Sequence, residues 1–172
     1  LEDSAYWLNP VTNDQTAVFI GASGSDYRLA LEKRQGDVEA QMSTGSSMSI
    51  LANRISYFYN LHGPSITIDT ACSSSLVAVH EALQTIRSGE CTQALVGGIN
   101  IICHPGNTLF YYKSGMLSKD GLCYSFDAKA NGYVRSEGGV VLILKSLNHA
   151  INDGDCIHAV IKGSSTNHAI SN

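Results

Sequence analysis

A chain of 172 residues that is 44% hydrophobic and 15% charged carries enough apolar surface for one ordinary domain and is not intrinsically disordered. Its formal charge of −4, from 11 basic and 15 acidic residues with no basic run, excludes a nucleic-acid partner. No apolar stretch approaches the roughly 18 residues that a membrane helix needs. The longest, Ala94–Cys103, is interrupted by Gly97, Gly98 and Asn100.

The chain opens at Leu1 inside what reads as a helix, Leu1-Glu2-Asp3-Ser4-Ala5, and ends at Ser171-Asn172. With no initiator Met and no leader pattern, the expectation is a single partial domain, 1–172, cut at both ends from a larger protein. Five cysteines (Cys72, Cys91, Cys103, Cys123 and Cys156) form no CxxC pair. Their odd number argues against a disulfide framework or zinc knuckle and for a reducing, cytoplasmic setting.

Ala17–Gly21 is a short apolar run ended by glycine and reads as a buried strand. Ser23–Gln41 reads as a loop followed by a helix. Over Ser46–Asn60, Met48, Leu51, Ile55 and Phe58 recur at helical spacing, with Gly63-Pro64 just beyond. Ser65–Thr70 alternates, Ile66 and Ile68 on one face, as a strand does. Ser74–Ser88 places Leu76, Val79, Leu83 and Ile86 on one helical face, with Arg87 in the last turn and Gly89 as the terminating residue. Ala94–Ile102 is apolar on both faces, as in a strand covered by helices on each side. His104-Pro105-Gly106 breaks that run before a short helix over Asn107–Ser114 and a long polar connection, Gly115–Gly132. Val140–Leu144 reads as another buried strand, Ser146–Asn152 as a short helix and Cys156–Gly163 as a last strand. Strands alternating with helices predict an α/β layered fold, and no linker divides the chain.

The sharpest feature is Asp69-Thr70-Ala71-Cys72-Ser73-Ser74, a strand-to-helix turn with small residues around one thiol. The free N–H groups and positive dipole end of a helix N-terminus favour an anion. They stabilise a thiolate and can hold the oxyanion formed when a thioester carbonyl is attacked. From spacing alone, the thiol is equally well a nucleophile or a small buried hydrophobe.

Asp69-Thr70-Ala71-Cys72-Ser73-Ser74-Ser75-Leu76-Val77-Ala78 resembles the active-site signature of the β-ketoacyl synthases. Five further segments resemble that family's landmarks in the same order. They are Ala52–Tyr59 with Gly63-Pro64-Ser65, Val96–Asn100, Gly115–Ser118, Ser125-Phe126-Asp127 and Gly132–Gly138. The resemblance runs from Ala17 to Gly163. Arg135-Ser136-Glu137 and His104-Pro105 lean toward the large multidomain synthases, of polyketide or animal fatty-acid type. The ordered motifs fit a thiolase or a chalcone-synthase-type enzyme poorly.

The resemblance implies a thiolase-like α/β fold, a homodimer and a decarboxylative Claisen condensation. It implies that Cys72 is catalytic and accepts an acyl chain from the phosphopantetheine thiol of an acyl carrier protein, with no cofactor or metal bound directly. The family also uses two histidines, in His-Gly-Thr-Gly-Thr and Asn-Ile-Gly-His motifs, and neither motif occurs in this sequence. The resemblance therefore implies that these 172 residues alone do not condense. The alternative reading is a non-catalytic, synthase-derived module that binds carriers or pairs with a partner. Thr166–Ser171 departs from the family's Asn followed by Asp-Gly, and Val140 stands where many relatives carry glycine.

Other candidates read as structural. His80, eight residues past Cys72, lies about 12 Å along a helix axis from it, beyond hydrogen-bond reach. His62, His104, His149, His158 and His168 have no metal-ligand spacing. Gly21–Asp26 lacks the phosphate-cradle patterns. Asp69 reads as structural, Arg135 and Glu137 as a structural ion pair or as hydrogen-bonding groups, with a place at the border of the active site as the lesser alternative, and Ser73 as nucleophile only if the turn shifts by one residue.

Overall fold

The computed structural model describes residues 15–24, 26–32 and 40–168. The helix read over Leu1–Ala5 and the end of the Thr166–Ser171 segment, from Ala169, lie outside these residues, as do 33–39 in the region read as loop and helix. The elements in chain order are β1 (Thr16–Gly21), α1 (Asp26–Glu32), α2 (Ala40–Ser46), α3 (Ile50–Tyr59), β2 (Ser65–Ile68), α4 (Ser74–Ser88), β3 (Gln93–Asn100), α5 (Pro105–Lys113), β4 (Gly138–Lys145) and α6 (Leu147–Asp153). The described residues fall into two compact units: 15–23, 47–99 and 139–168 in the first, and 24, 26–32, 40–46 and 100–138 in the second.

The first unit is a four-stranded sheet of order β2-β1-β3-β4, in which β1 pairs in parallel with both β2 and β3. Successive side chains of a strand point to opposite faces, and β1 uses both. Ala17 and Phe19 pack with Ala78 and Ala82 of α4 and with Cys91, Ala94 and Val96. Val18 and Ile20 pack with Ala52 of α3, Leu61 and Leu95. One helix therefore covers each face of the buried central strands, the layered arrangement expected of strands apolar on both sides.

The helices approach through their smallest side chains, which the apolar spacing did not anticipate. On α4 the buried positions are Ser74, Ala78 and Ala82, with Val79 and Ile86 beside them. Leu76, assigned to the inner face from its spacing, is 77% exposed. On α3 the buried positions are Ala52 and Ser56, and Phe58 is 78% exposed. Two side-chain bonds tie α3 to β2: the Ala52 N–H donates to Thr67 Oγ1 (3.1 Å) and Ser56 Oγ donates to Ser65 Oγ (2.8 Å).

Two strand assignments need correction. Val140–Leu144 lies within β4 but is not buried, because β4 is an edge strand of this sheet and Val140 and Val141 are each 65% exposed. Cys156–Gly163 forms no strand. A β ladder exists only through a neighbour's backbone, and among the described residues none pairs with this segment.

In the second unit Asp26 is the organising residue. Its buried carboxylate accepts from Asn107 Nδ2, while its Oδ2 lies 4.0 Å from Arg135 Nη2. Arg135 also donates to Thr108 Oγ1 and lies over the Tyr111 ring, 5.4 Å from its centroid. Glu137 turns elsewhere, its Oε1 accepting from the Ile102 N–H at 2.7 Å. Arg135 and Glu137 thus hydrogen-bond as one of the two readings had it, each to partners of its own.

Candidate active site

Between the end of β2 at Ile68 and the start of α4 at Ser74 the backbone reverses within five residues. Side chains of the turn itself satisfy much of its backbone. Asp69 Oδ1 accepts from the Ala71 N–H (3.0 Å), which gives Asp69 the structural task expected of it. The Thr70 N–H donates to Ser74 Oγ (2.9 Å), whose own hydrogen goes to the Ala71 carbonyl (2.6 Å). Ser73 Oγ donates to the Thr70 carbonyl (2.8 Å) and also meets Thr70 Oγ1 at 2.8 Å. These hydroxyls fix the path of the chain from two residues before Cys72 to two after it.

The reversal is made at Ala71, whose φ of +56° is in the left-handed region. An L-residue with a Cβ incurs about 1–2 kcal/mol there. Such strain persists only where surrounding bonds over-determine it, as the hydroxyl lattice does here. The small side chain of Ala71 was visible in the sequence; its left-handed backbone was not.

Cys72 follows Ala71 and is exposed, one residue before the helix-capping Ser73. The first N–H groups of any helix lack intrahelical acceptors. In α4 the Ser74 N–H is taken by the Ala71 carbonyl and the Val77 N–H by the Ser73 carbonyl. Cys72 thus lies one residue before the N-cap of a 15-residue helix.

Cys91, His80 and His104 lie outside the turn. Cys91 is 2% exposed; burial, with the charge of Glu90, pushes its thiol up and away from the thiolate form. His80 Nδ1 is 2.8 Å from Ser164 Oγ. His104 caps α5, its Nδ1 accepting from the Gly106 N–H at 3.0 Å. Among the described residues no three His, Cys, Asp or Glu side chains gather in a way that could hold a metal ion, and no helix is long and apolar enough to cross a membrane.

Residues 1–150 match the family model described as β-ketoacyl synthase, N-terminal domain. The chain belongs to the β-ketoacyl synthase family. It is 46% identical over 169 residues to a phenolphthiocerol/phthiocerol polyketide synthase of Mycobacterium tuberculosis, a match covering 97% of this chain and 8% of that protein. It is 48% identical over 164 residues to the 6-methylsalicylic acid synthase of Aspergillus terreus, covering 95% of this chain and 9% of that protein. Among solved structures, the ketosynthase from module 6 of the bacillaene synthase of Bacillus subtilis superposes with a TM-score of 0.76 at 40% identity, over 91% of this chain and 26% of that one. An oxazolomycin ketosynthase domain of Streptomyces albus gives 0.74 at 40% identity, over 85% of this chain and 26% of that one. This ketosynthase chain therefore has the thiolase-like α/β fold, and its family is one of condensing transferases.

Proposed function

We propose that Cys72 is the acyl-accepting nucleophile of a polyketide-type ketosynthase. The observation that carries this reading is an exposed thiol on a strained, hydroxyl-braced turn immediately before the N-terminus of α4. The Cys72 thiolate attacks the carbonyl carbon of an acyl thioester carried on the phosphopantetheine arm of an acyl carrier protein. The C–S bond to Cys72 forms, and the carbonyl electrons move to oxygen, where the backbone N–H of Cys72 itself is one donor to the oxyanion. Collapse breaks the carrier's C–S bond, and the carrier thiol leaves with the proton that Cys72 gave up. Loss of CO2 from a malonyl-type extender then leaves a carbanion that attacks the acyl-Cys72 thioester. A new C–C bond forms and Cys72 is released.

The two histidine motifs that the family uses in the second half-reaction are not in this sequence. We assign these 172 residues, as part of a ketosynthase domain, the nucleophile and its turn, and no condensation on their own. The working unit is a homodimer served by acyl carrier protein.

The test is acyl transfer to the full-length protein that carries this chain. An acyl N-acetylcysteamine thioester should load the peptide containing Cys72, as read by mass spectrometry after proteolysis, and Cys72→Ala should remove the label. An acyl group found on another residue, or labelling unchanged in Cys72→Ala, would sink the assignment. A full-length protein that takes no acyl group at all would fit the non-catalytic carrier-binding reading instead.

A further inference from the structure

Gly21, the last residue of β1, and Gly98, two residues short of the end of β3, are register partners in the parallel pair, and the first turn of α4 rests on both. A Cβ placed on Gly21 would stand 2.5 Å from Ser75 Cα, 2.5 Å from Ser75 N and 2.6 Å from Ser74 C. A Cβ on Gly98 would stand 2.4 Å from Ser75 Oγ and 3.1 Å from Ser75 Cβ. Neither glycine has a left-handed φ, so the backbone conformation itself would admit alanine. What the two positions require is clearance.

We propose that Gly21 and Gly98 are positioning residues for the Cys72 thiol: a pair of side-chain-free strand positions that seats Ser74 and Ser75 and so sets where the nucleophile stands. This rests on the nucleophile reading of Cys72. The displacement reaches the thiol because the turn is cross-tied. Ser74 Oγ holds both the Thr70 N–H and the Ala71 carbonyl, and Ser73 Oγ holds the Thr70 carbonyl. A helix lifted off the strands at Ser74–Ser75 carries the 70–73 segment with it, and reacting groups misplaced by about 1 Å lose on the order of 100-fold in rate.

The two glycines meet different atoms, and that difference supplies the test. Gly98 faces a side chain that can be trimmed, whereas Gly21 faces helix backbone that cannot. In the full-length protein, the rate of Cys72 alkylation by iodoacetamide is measured by peptide mass spectrometry for Gly98→Ala, Gly21→Ala, and each combined with Ser75→Gly. We expect Gly98→Ala to slow Cys72 about tenfold and Ser75→Gly to restore it. Gly21→Ala should slow it at least as much, with no restoration. Wild-type rates in both alanine variants overturn the proposal. So does a slowed Gly98→Ala that Ser75→Gly fails to restore, or a Gly21→Ala that it restores equally well. If Gly98→Ala fails to fold, a double variant that folds and reacts supports the pairing, and a double variant that also fails to fold overturns it. Alkylation reports the thiol's reactivity in its seat independently of acyl transfer. An acyl label that misses Cys72 therefore refutes the nucleophile reading, whereas the alanine and rescue series judges the seat.

Discussion

Ala71 puts backbone strain next to the Cys72 thiol. Its left-handed φ carries the usual cost of a Cβ in that region, about 1–2 kcal/mol. Glycine would remove that cost but widen the unfolded ensemble. Ala71→Gly should therefore raise stability by about 0.5 kcal/mol, and Ala71→Val, β-branched in a region such residues avoid, should lower it by about 2 kcal/mol or more. Urea unfolding of this domain reads both changes, and a Val variant as stable as wild type would show that Ala71 is not strained. Cys91 supplies an internal control. Burial, then the charge of Glu90, disfavours its thiolate, and its side chain lies in the core with Ala78 and Ala82. It should stay unalkylated while the domain is folded and react only on unfolding. Modification of Cys91 at the rate of Cys72 in native protein would contradict the buried placement.

At the scale of elements, chain ends and ion pairs decide where helices stop and how they are held. Gly89 closes α4 with φ +80°, its N–H donating to the Ile86 carbonyl at 3.2 Å. Gly89→Ala should cost about 1–2 kcal/mol, visible as a lower thermal midpoint. Lys145, at the end of β4, is held by Asp153 of α6 and by Asp155, at 2.8 Å from the latter. Burial alone would lower the Lys145 ammonium, but its hydrogen bonds to the two carboxylates outweigh that and leave it raised. The same bond to Lys145 lowers Asp153. A raised lysine stabilises the fold below its unfolded pKa and loses that contribution as pH rises through the folded value; a depressed aspartate stabilises above its unfolded pKa and loses it as pH falls. The stability gap between wild type and Lys145→Met should thus be level from about pH 5 to 9 and close below about pH 4 and above about pH 10.5. A gap that does not vary with pH would assign Lys145 a packing role only.

The same scale shows what could be read in advance. α4 was legible residue for residue because a strand end, a small-residue turn, Arg87 and Gly89 all mark its limits. The thiol's place at that turn followed from the same signals, joined to the family resemblance. The inner face of α4 was not legible, since hydrophobic spacing nominates Leu76 whereas close helix–sheet approach selects Ser74, Ala78 and Ala82. Gly21 read as the end of a strand, and its service to Ser75 is a contact between residues 54 positions apart in the chain. The segment 156–163 reads as a strand from composition, but composition does not reveal whether a partner is present to complete a ladder.

At the scale of the whole chain, the sheet that leads into the Cys72 turn ends, among the described residues, in an apolar edge strand. β4 ends the sheet, and its Val140 and Val141, which point to opposite faces, are each 65% exposed. Ile143 and Leu144, further along, are packed against the two cores, so apolar character continues from the interior to the surface without a charged residue between Gly138 and Leu144. An apolar edge strand with free backbone groups is a template for pairing with another chain unless charge or proline blunts it. We therefore expect the 172-residue polypeptide expressed by itself to self-associate in a concentration-dependent way by sedimentation velocity and to bind an apolar dye. Val140→Lys combined with Val141→Lys should reduce both, because a charge on each face opposes stacking and edge pairing at little cost to a position already in water. A monomeric wild-type polypeptide with a sharp, cooperative melt would refute this, and would mean that the Val140–Val141 surface is tolerated in water as it stands.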